Sequence, residues 1–188
     1  MGGDKGPGVV VDGVLEALRE YPNRILLAGD EAVLSDALAA RGALNHPDIT
    51  LLPASDIITM EDSPVEAVRE KRNSSLVLAA RAVRDGRAQA FLSPANTGAV
   101  LAAGTLIVGR IKGVERPGIA ALIPHKKRGF TVVIDVGANA ESRATHLLHF
   151  AIMGMAYGKA IIGIESPRVG ILSIGTERTK GNELTKEA

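Results

Sequence analysis

The sequence predicts an α/β fold, a three-layer αβα, Rossmann-like arrangement with a mostly parallel sheet. Short apolar runs of strand length alternate along the chain with longer segments whose apolar residues repeat at helical spacing. Small polar residues and glycines follow several of these runs. Because ligands of such sheets bind at the carboxyl ends of the strands, we expect the functional residues there.

The first half of the chain begins with an amphipathic helix, because Val11, Val14, Leu15 and Leu18 recur at i, i+3, i+4 and i+7. Asp30 is suited to cap the next helix, and Gly42 to end it. The predicted elements are a helix around residues 11–18, a strand at 25–29, a helix at 30–41, a strand at 49–53 and a helical region at 62–86 with a break near 73–75.

The second half continues the alternation. Residues 130–135 form a continuous apolar run, which is typical of strands in parallel sheets. The segment 143–159 is helical and almost wholly apolar, so it is either deeply buried or an interface helix. The remaining predictions are strands at 90–92, 119–123 and 169–174 and helices at 96–110 and 182–188.

Composition excludes several classes of function. Lys and Arg number 22 against 21 Asp and Glu, so the net charge of +1 gives no field that would attract nucleic acid or anionic lipid. The chain has no cysteine, which excludes thiolate nucleophiles and disulfides and agrees with a cytoplasmic location. His146 and His149 are three residues apart on a predicted helix, but no third ligand is evident, so we predict no metal site and no cofactor.

The turn Asn96-Thr97-Gly98 is the first candidate site. It follows the predicted strand at 90–92 and opens a helix, where backbone amides favour anions. Its small residues allow close approach, and its amide and hydroxyl groups are donors. The alternative is an Asn/Thr helix cap with a packing glycine.

A second turn contains Asp135, Gly137, Ala138 and Asn139, directly after an apolar strand. Asp135 is a candidate buried acid, and Asn139 is suited to donate to an oxyanion. The alternative is again a helix cap.

A third turn holds Gly175 and Thr176 and is followed by Lys180, Gly181, Asn182 and Glu183. The ammonium of Lys180 is suited to neutralise a phosphate or a developing oxyanion, unless it is a solvated loop lysine. Glu183 either orients Lys180 or favours the positive end of the last helix. We expect the three turns to converge on one crevice, which indicates a phosphate-handling enzyme.

The motifs together resemble one family. Residues 1–4, 93–99, 108–113, 135–139 and 174–177 with 180–184 are, in order and spacing, closely similar to the bacterial phosphate acyltransferases (PlsX). The resemblance covers essentially the whole chain. One motif departs from the family pattern, because Pro94-Ala95 stands where Ala-Gly commonly precedes Asn-Thr-Gly.

This resemblance implies an enzyme that transfers a fatty acyl group from acyl carrier protein (acyl-ACP) to inorganic phosphate, giving acyl phosphate for phospholipid (phosphatidic acid) synthesis. It implies a fold similar to the isocitrate and isopropylmalate dehydrogenases and phosphotransacetylase, a homodimer, and no cofactor. It also identifies residues 1–188 as the N-terminal part of a single α/β catalytic domain. From this resemblance we expect that the chain lacks the family's first strand and its C-terminal half, the half expected to make peripheral contact with the inner face of the membrane.

The predicted roles follow from the same motifs. Phosphate is expected among Asn96, Thr97, Gly98 and Asn139, with Lys180 on the developing charge and Asp4 orienting Lys180 or a water. Gly2 and Gly3 belong to the expected substrate-binding set. Two alternatives remain: a dehydrogenase on the same scaffold, which lacks support because no Gly-x-Gly-x-x-Gly turn is present, and a non-catalytic module that binds acyl carrier protein or a phosphorylated metabolite.

Overall fold

The computed structural model describes residues 1–126, 129–175 and 180–188. Its helices and strands form a mixed α/β structure that contains a parallel strand pair. The chain divides into two compact units, Met1–Gly109 and Arg110–Ala188.

The first unit holds five α-helices, one π-helical segment and two strands. These are α1 Gly6–Glu20, β1 Ile25–Gly29, α2 Glu31–Ala39, β2 Ile49–Pro53, α3 Pro64–Glu70, α4 Ser75–Arg84 and α5 Thr97–Ala103, which continues into the π-helical segment Gly104–Val108.

Local signals in the sequence account for most of these boundaries. The side chain of Asp30 accepts a hydrogen bond from the Val33 amide at 3.0 Å, so the predicted cap of α2 is confirmed. Ser74, which is fully buried, caps α4 by accepting from the Val77 amide at 3.4 Å. The predicted break near 73–75 is therefore confirmed as the junction between α3 and α4.

Strands β1 and β2 pair in parallel, with Ile25 opposite Ile49 and Gly29 opposite Pro53. Helix α2 makes the crossover that a parallel pair requires. One apolar cluster lies against this pair, and a second joins α3, α4 and α5. Their buried members are Val11, Leu27, Leu34, Leu38 and Ala43 in the first, and Ile58, Ala67, Val68, Leu76, Val77, Ala80, Ala99, Ala102 and Ala103 in the second.

The second unit contains β3 Ala120–Pro124, β4 Phe130–Ile134, α6 Ala144–Ala160 and α7 Glu183–Glu187. Strands β3 and β4 are antiparallel, with Ala120 opposite Ile134. The apolar run at 130–135 predicted a parallel strand, and this prediction is wrong for the pairing of β4 with β3. The connection at 125–129 is too short for a parallel crossover, which takes about a dozen residues.

Two predicted strands are not strands in the structure. Residues 90–92 and 169–174 have no strand partner among the described residues, and Leu92, Leu172 and Ile174 are 97%, 91% and 86% exposed. Apolar character favours a strand, but the strand forms only when a neighbour completes its hydrogen bonds.

Helix α6 confirms the helical prediction for 143–159. Its residues Leu148 and Ile152 are about half exposed, so within the described structure the helix is not buried on all sides. The interface alternative stays a prediction. In the part of the chain that the structure describes, no helix has the length and apolar character needed to cross a membrane.

Candidate active site

In the first unit, three segments that are far apart in sequence meet near the carboxyl end of β1. A Cβ atom placed on Gly29, the last residue of β1, would lie 3.0 Å from Met1 Cγ, so the start of the chain packs there. A Cβ on Gly2 would lie 2.0 Å from the Ile58 carbonyl oxygen, and one on Gly3 would lie 3.5 Å from Pro94 Cγ. The predicted site residues Gly2 and Gly3 thus adjoin the segment that leads into Asn96.

Asn96 is buried, and its amide group is fully engaged. Its Oδ1 accepts from the Ala99 amide at 3.0 Å, which caps α5. Its Nδ2 donates towards the carbonyl oxygens of Thr59, Met60 and Asp62 at 3.2, 3.4 and 3.2 Å. The side chain therefore joins the start of α5 to the loop before α3, and it acts as the helix cap of the alternative interpretation.

Gly98 also has a packing role, because a Cβ atom there would lie 2.7 Å from Cγ of Pro64. Thr97 and Gly98 occupy the first two positions of α5, where backbone amides have no acceptor within the helix. Any anion binding by this turn consequently rests on these amides rather than on the Asn96 side chain.

The loop at 57–62 is braced by an ion pair that sequence reasoning missed. The carboxylate of Asp62 accepts from Lys71 Nζ at 2.5 Å and from the Thr59 amide at 2.7 Å. Lys71 also donates to the Ile57 carbonyl at 2.9 Å. The hydrogen bond from Lys71 holds the pKa of Asp62 below its usual value. The only signal in the sequence was Asp62 itself, at the start of a helical region.

In the second unit, the turn at 135–139 is held by hydrogen bonds between its own residues. The Asp135 carboxylate accepts from the Ala138 and Asn139 amides at 2.8 and 3.1 Å and from Asn139 Nδ2 at 2.9 Å. Gly137 has a φ of 107°, a conformation that favours glycine. The helix-cap alternative is wrong here, because the next helix, α6, begins only at Ala144.

Both amide hydrogens of Asn139 have acceptors, since Nδ2 also donates to the Pro117 carbonyl at 2.9 Å. Its Oδ1 accepts from Arg116 Nη1 at 3.4 Å. Arg116 was not among the residues predicted from the sequence, and no spacing rule connects it with Asn139 across 23 positions.

His146, considered above as a metal ligand, is a buried structural residue. Its Nδ1 accepts from the Arg143 amide at 3.2 Å, and its Nε2 lies 3.2 Å from Glu115 Oε2. The described residues contain no group of three His, Asp or Glu side chains that could hold a metal ion. His149 Nδ1 is buried and has no hydrogen-bond partner in the described structure.

Lys180 lines an open cleft of about 400 Å³ in the second unit. Asn182 caps α7 by accepting from the Thr185 amide at 2.9 Å, and Glu183 is the first residue of that helix. The other residues of the cleft are Ile171, Ser173, Gly175, Thr185 and Lys186. Two lysines and the Ser173 hydroxyl suit an anion, whereas the Thr185 hydroxyl donates to the Asn182 carbonyl at 3.0 Å. Lys186, Ser173 and Thr185 were missed by sequence reasoning.

The remaining predicted residues are placed as follows. Asp4 is exposed in the turn before α1, and Gly181 has a φ of 98°. Thr176 lies outside the described residues. The convergence of the three turns on one crevice stays a prediction.

A larger cleft of the first unit, about 700 Å³, lies between α1 and the segment before β2. Its lining includes Leu15, Leu18, Arg41 and His46. The Arg41 guanidinium there is already paired with Asp12 at 2.5 Å. Because this cleft is at the amino end of β2, it is separate from the segments described above.

Comparison with known proteins gives a consistent result over the whole chain. A family model described as "Fatty acid synthesis protein" matches residues 1–188. The chain is 48% identical to a phosphate acyltransferase of Exiguobacterium sp., with 100% of this chain and 56% of that protein covered. It is 44% identical to the phosphate acyltransferase of Bacillus subtilis, with 100% and 55% covered. The chain spans about half the length of the curated relatives that it matches.

Proposed function

Because the chain belongs to the fatty acid synthesis protein family, we propose that it is part of a phosphate acyltransferase. In the proposed reaction, a fatty acyl group moves from the thioester of acyl carrier protein to inorganic phosphate. The product is an acyl phosphate for phospholipid synthesis. The observation that carries this proposal is the 48% identity to a phosphate acyltransferase over every residue of the chain.

Direct attack by phosphate is the mechanism that this chain favours. An oxygen of phosphate forms a bond to the thioester carbonyl carbon, and a tetrahedral oxyanion results. When the intermediate collapses, the carbon–sulfur bond breaks and the carrier leaves as a thiolate that takes a proton from water. In this proposal phosphate itself is the nucleophile, and these 188 residues contain no cysteine that could carry the acyl group as a thioester.

The protein's task is then to hold a dianion against a carbonyl carbon and to stabilise the oxyanion. In the first unit, we assign phosphate contacts to the backbone amides of Thr97 and Gly98, which have no acceptor within α5. Asn96 holds this turn against the loop at 57–62. Gly2 and Gly3 allow the start of the chain to approach the same segment.

In the second unit, we assign the charge-stabilising role to Lys180, because it lines a cleft with a second lysine, Lys186, and with Ser173. Gly175, Gly181, Asn182 and Glu183 form the surroundings of Lys180 in this proposal, together with Thr176. Asp4 is proposed to orient Lys180 or a water. Asp135, Gly137, Ala138 and Asn139 supply the turn whose hydrogen bonds are described above.

We also propose the finer fold, assembly and location that the family resemblance implies. The fold is a three-layer, Rossmann-like arrangement of the isocitrate dehydrogenase and phosphotransacetylase type, and the parallel β1–β2 pair with its α2 crossover supports it. The protein is proposed to act as a cytoplasmic homodimer with peripheral membrane contact. Acyl carrier protein and inorganic phosphate are its proposed partners.

The proposed function is tested by product identification. The full-length protein is incubated with acyl carrier protein thioester and inorganic phosphate, and acyl phosphate and free carrier thiol are measured. We expect both products with phosphate and neither without it. Thiol and free fatty acid without phosphate would indicate a hydrolase, and carrier binding without any product would indicate a binding module.

A further inference from the structure

The second unit exposes a guanidinium group beside the turn at 135–139. Arg116 donates from Nη1 to Asn139 Oδ1 at 3.4 Å. A guanidinium has five N–H donors in a planar fork, so this bond leaves most of them available. We propose that Arg116 is a further binding residue for the phosphate substrate, an inference that rests on the proposed function.

Asn139 orients Arg116 through a chain of hydrogen bonds. Its Nδ2 is directed at two groups that only accept, the Asp135 carboxylate and the Pro117 carbonyl, both at 2.9 Å. Since Nδ2 is held on that side, Oδ1 faces Arg116 and accepts from it. Asp135 and Asn139 are therefore positioning residues. Their side chains hold Arg116, and Arg116 makes the contact with phosphate.

The carboxylate of the neighbouring residue, Glu115, contacts His146. Glu115 Oε2 lies 3.2 Å from Nε2 of His146, at the start of α6. Because Nδ1 of His146 accepts from the Arg143 amide, the neutral ring carries its proton on Nε2 and donates it to Glu115. No ion pair joins Arg116 to a carboxylate within the described residues.

An exposed guanidinium that has no carboxylate partner among the described residues is suited to bind phosphate. Two parallel N–H groups match two phosphate oxygens, and the bond is charge-assisted. A lysine ammonium at the same place would supply the charge without the planar pair of donors. The Asp135 carboxylate is occupied by three donors of its own turn, which offsets its charge locally.

The direct test compares Arg116→Ala and Arg116→Lys with the wild type in the full-length protein. Inorganic phosphate binding is measured by calorimetry, and the KM values for phosphate and for acyl carrier protein thioester are measured by turnover. For Arg116→Ala we expect phosphate binding weaker by about 10- to 100-fold, the loss typical of a hydrogen bond to a charged group, with the carrier KM unchanged. Arg116→Lys should recover part of that loss.

The matched control is Arg168→Ala, another exposed arginine of the second unit, for which phosphate binding should equal that of the wild type. Thermal unfolding of each variant shows whether the fold is retained. Phosphate binding by Arg116→Ala within twofold of the wild type would overturn the inference. If the wild type binds phosphate and Arg116→Ala does not, the inference holds even when no acyl phosphate forms, and only the proposed reaction fails. A wild type that neither binds phosphate nor forms acyl phosphate overturns both.

A double variant tests the role assigned to His146. Replacing it with alanine frees the Glu115 carboxylate next to Arg116, so the KM for phosphate should rise. Adding Glu115→Gln removes the competing charge and should lower that KM again, whereas a purely structural effect of His146→Ala would persist. An unchanged KM in the double variant, relative to His146→Ala alone, would contradict this part of the inference.

Discussion

Asn96 joins two segments through a single amide group. Its oxygen caps α5, and its nitrogen faces three carbonyl oxygens of the loop before α3. The cap is visible in the sequence, because Asn at the start of a helix is a local signal. The contacts with the loop are not, since they join residues 34 to 37 positions apart.

A substitution separates the two roles of Asn96. Asn96→Asp keeps the capping oxygen but places a carboxylate against the carbonyls of Thr59, Met60 and Asp62, so the free energy of unfolding should fall by about 3 kcal/mol. The control is Asn182→Asp, because among the described residues the Asn182 side chain bonds just the Thr185 amide at the start of α7; stability should change by less than about 0.5 kcal/mol. Denaturant unfolding measures both, and equal stability of the two variants would contradict the double role.

Lys180 gives a second prediction for a single residue. Lys180→Ala should lower kcat for acyl phosphate formation by about 100-fold, because it removes the charge that we propose to stabilise the oxyanion. Lys159→Ala, an exposed lysine near the end of α6, is the control and should leave kcat unchanged. The kcat values of both variants are measured from steady-state rates at saturating phosphate. An undiminished kcat in Lys180→Ala would contradict the role proposed for Lys180.

Elements were predictable where their signals are local. Helix α2 follows its Asp30 cap, and α3 begins at Pro64. The antiparallel β3–β4 pair was predictable from the short connection at 125–129, although the apolar run alone suggested parallel pairing. The strands expected at 90–92 and 169–174 were not decidable from their own residues, because pairing depends on a partner elsewhere in the chain.

The loop at 57–62 gives a prediction of pH dependence. Lys71 lowers the pKa of Asp62 by a hydrogen bond, so the carboxylate stabilises the folded protein above its ordinary pKa near 3.8. This contribution is lost as the pH falls through the lowered pKa of the folded state. The difference in unfolding free energy between the wild type and Asp62→Asn should therefore be larger at about pH 7 than at about pH 2.

The control for that measurement is Asp36→Asn, which changes an exposed carboxylate of α2 and should show a smaller change of stability between the same two pH values. Chemical unfolding of the three proteins at each pH supplies the data. If the difference in unfolding free energy between the wild type and Asp62→Asn is constant or grows in acid, the stabilising role of the Asp62–Lys71 ion pair is contradicted.

At the scale of the whole molecule, the family was evident from the order and spacing of short motifs, and the similarity to phosphate acyltransferases over all 188 residues agrees with it. The site was only partly predictable. Sequence reasoning selected the turns, while the groups that brace or complete them, Lys71, Arg116 and Lys186, come from elsewhere in each unit. The contacts of these residues form only in the folded chain, so spacing along the sequence does not predict them.

The central claim is that phosphate attacks the thioester directly, and single-turnover release of carrier thiol tests it. The full-length protein, in molar excess over acyl carrier protein thioester, is mixed with and without inorganic phosphate. We predict thiol release only with phosphate, matched one to one by acyl phosphate. A rapid burst of thiol without phosphate, with the acyl group retained on the protein, would contradict the claim by revealing a covalent acyl-enzyme.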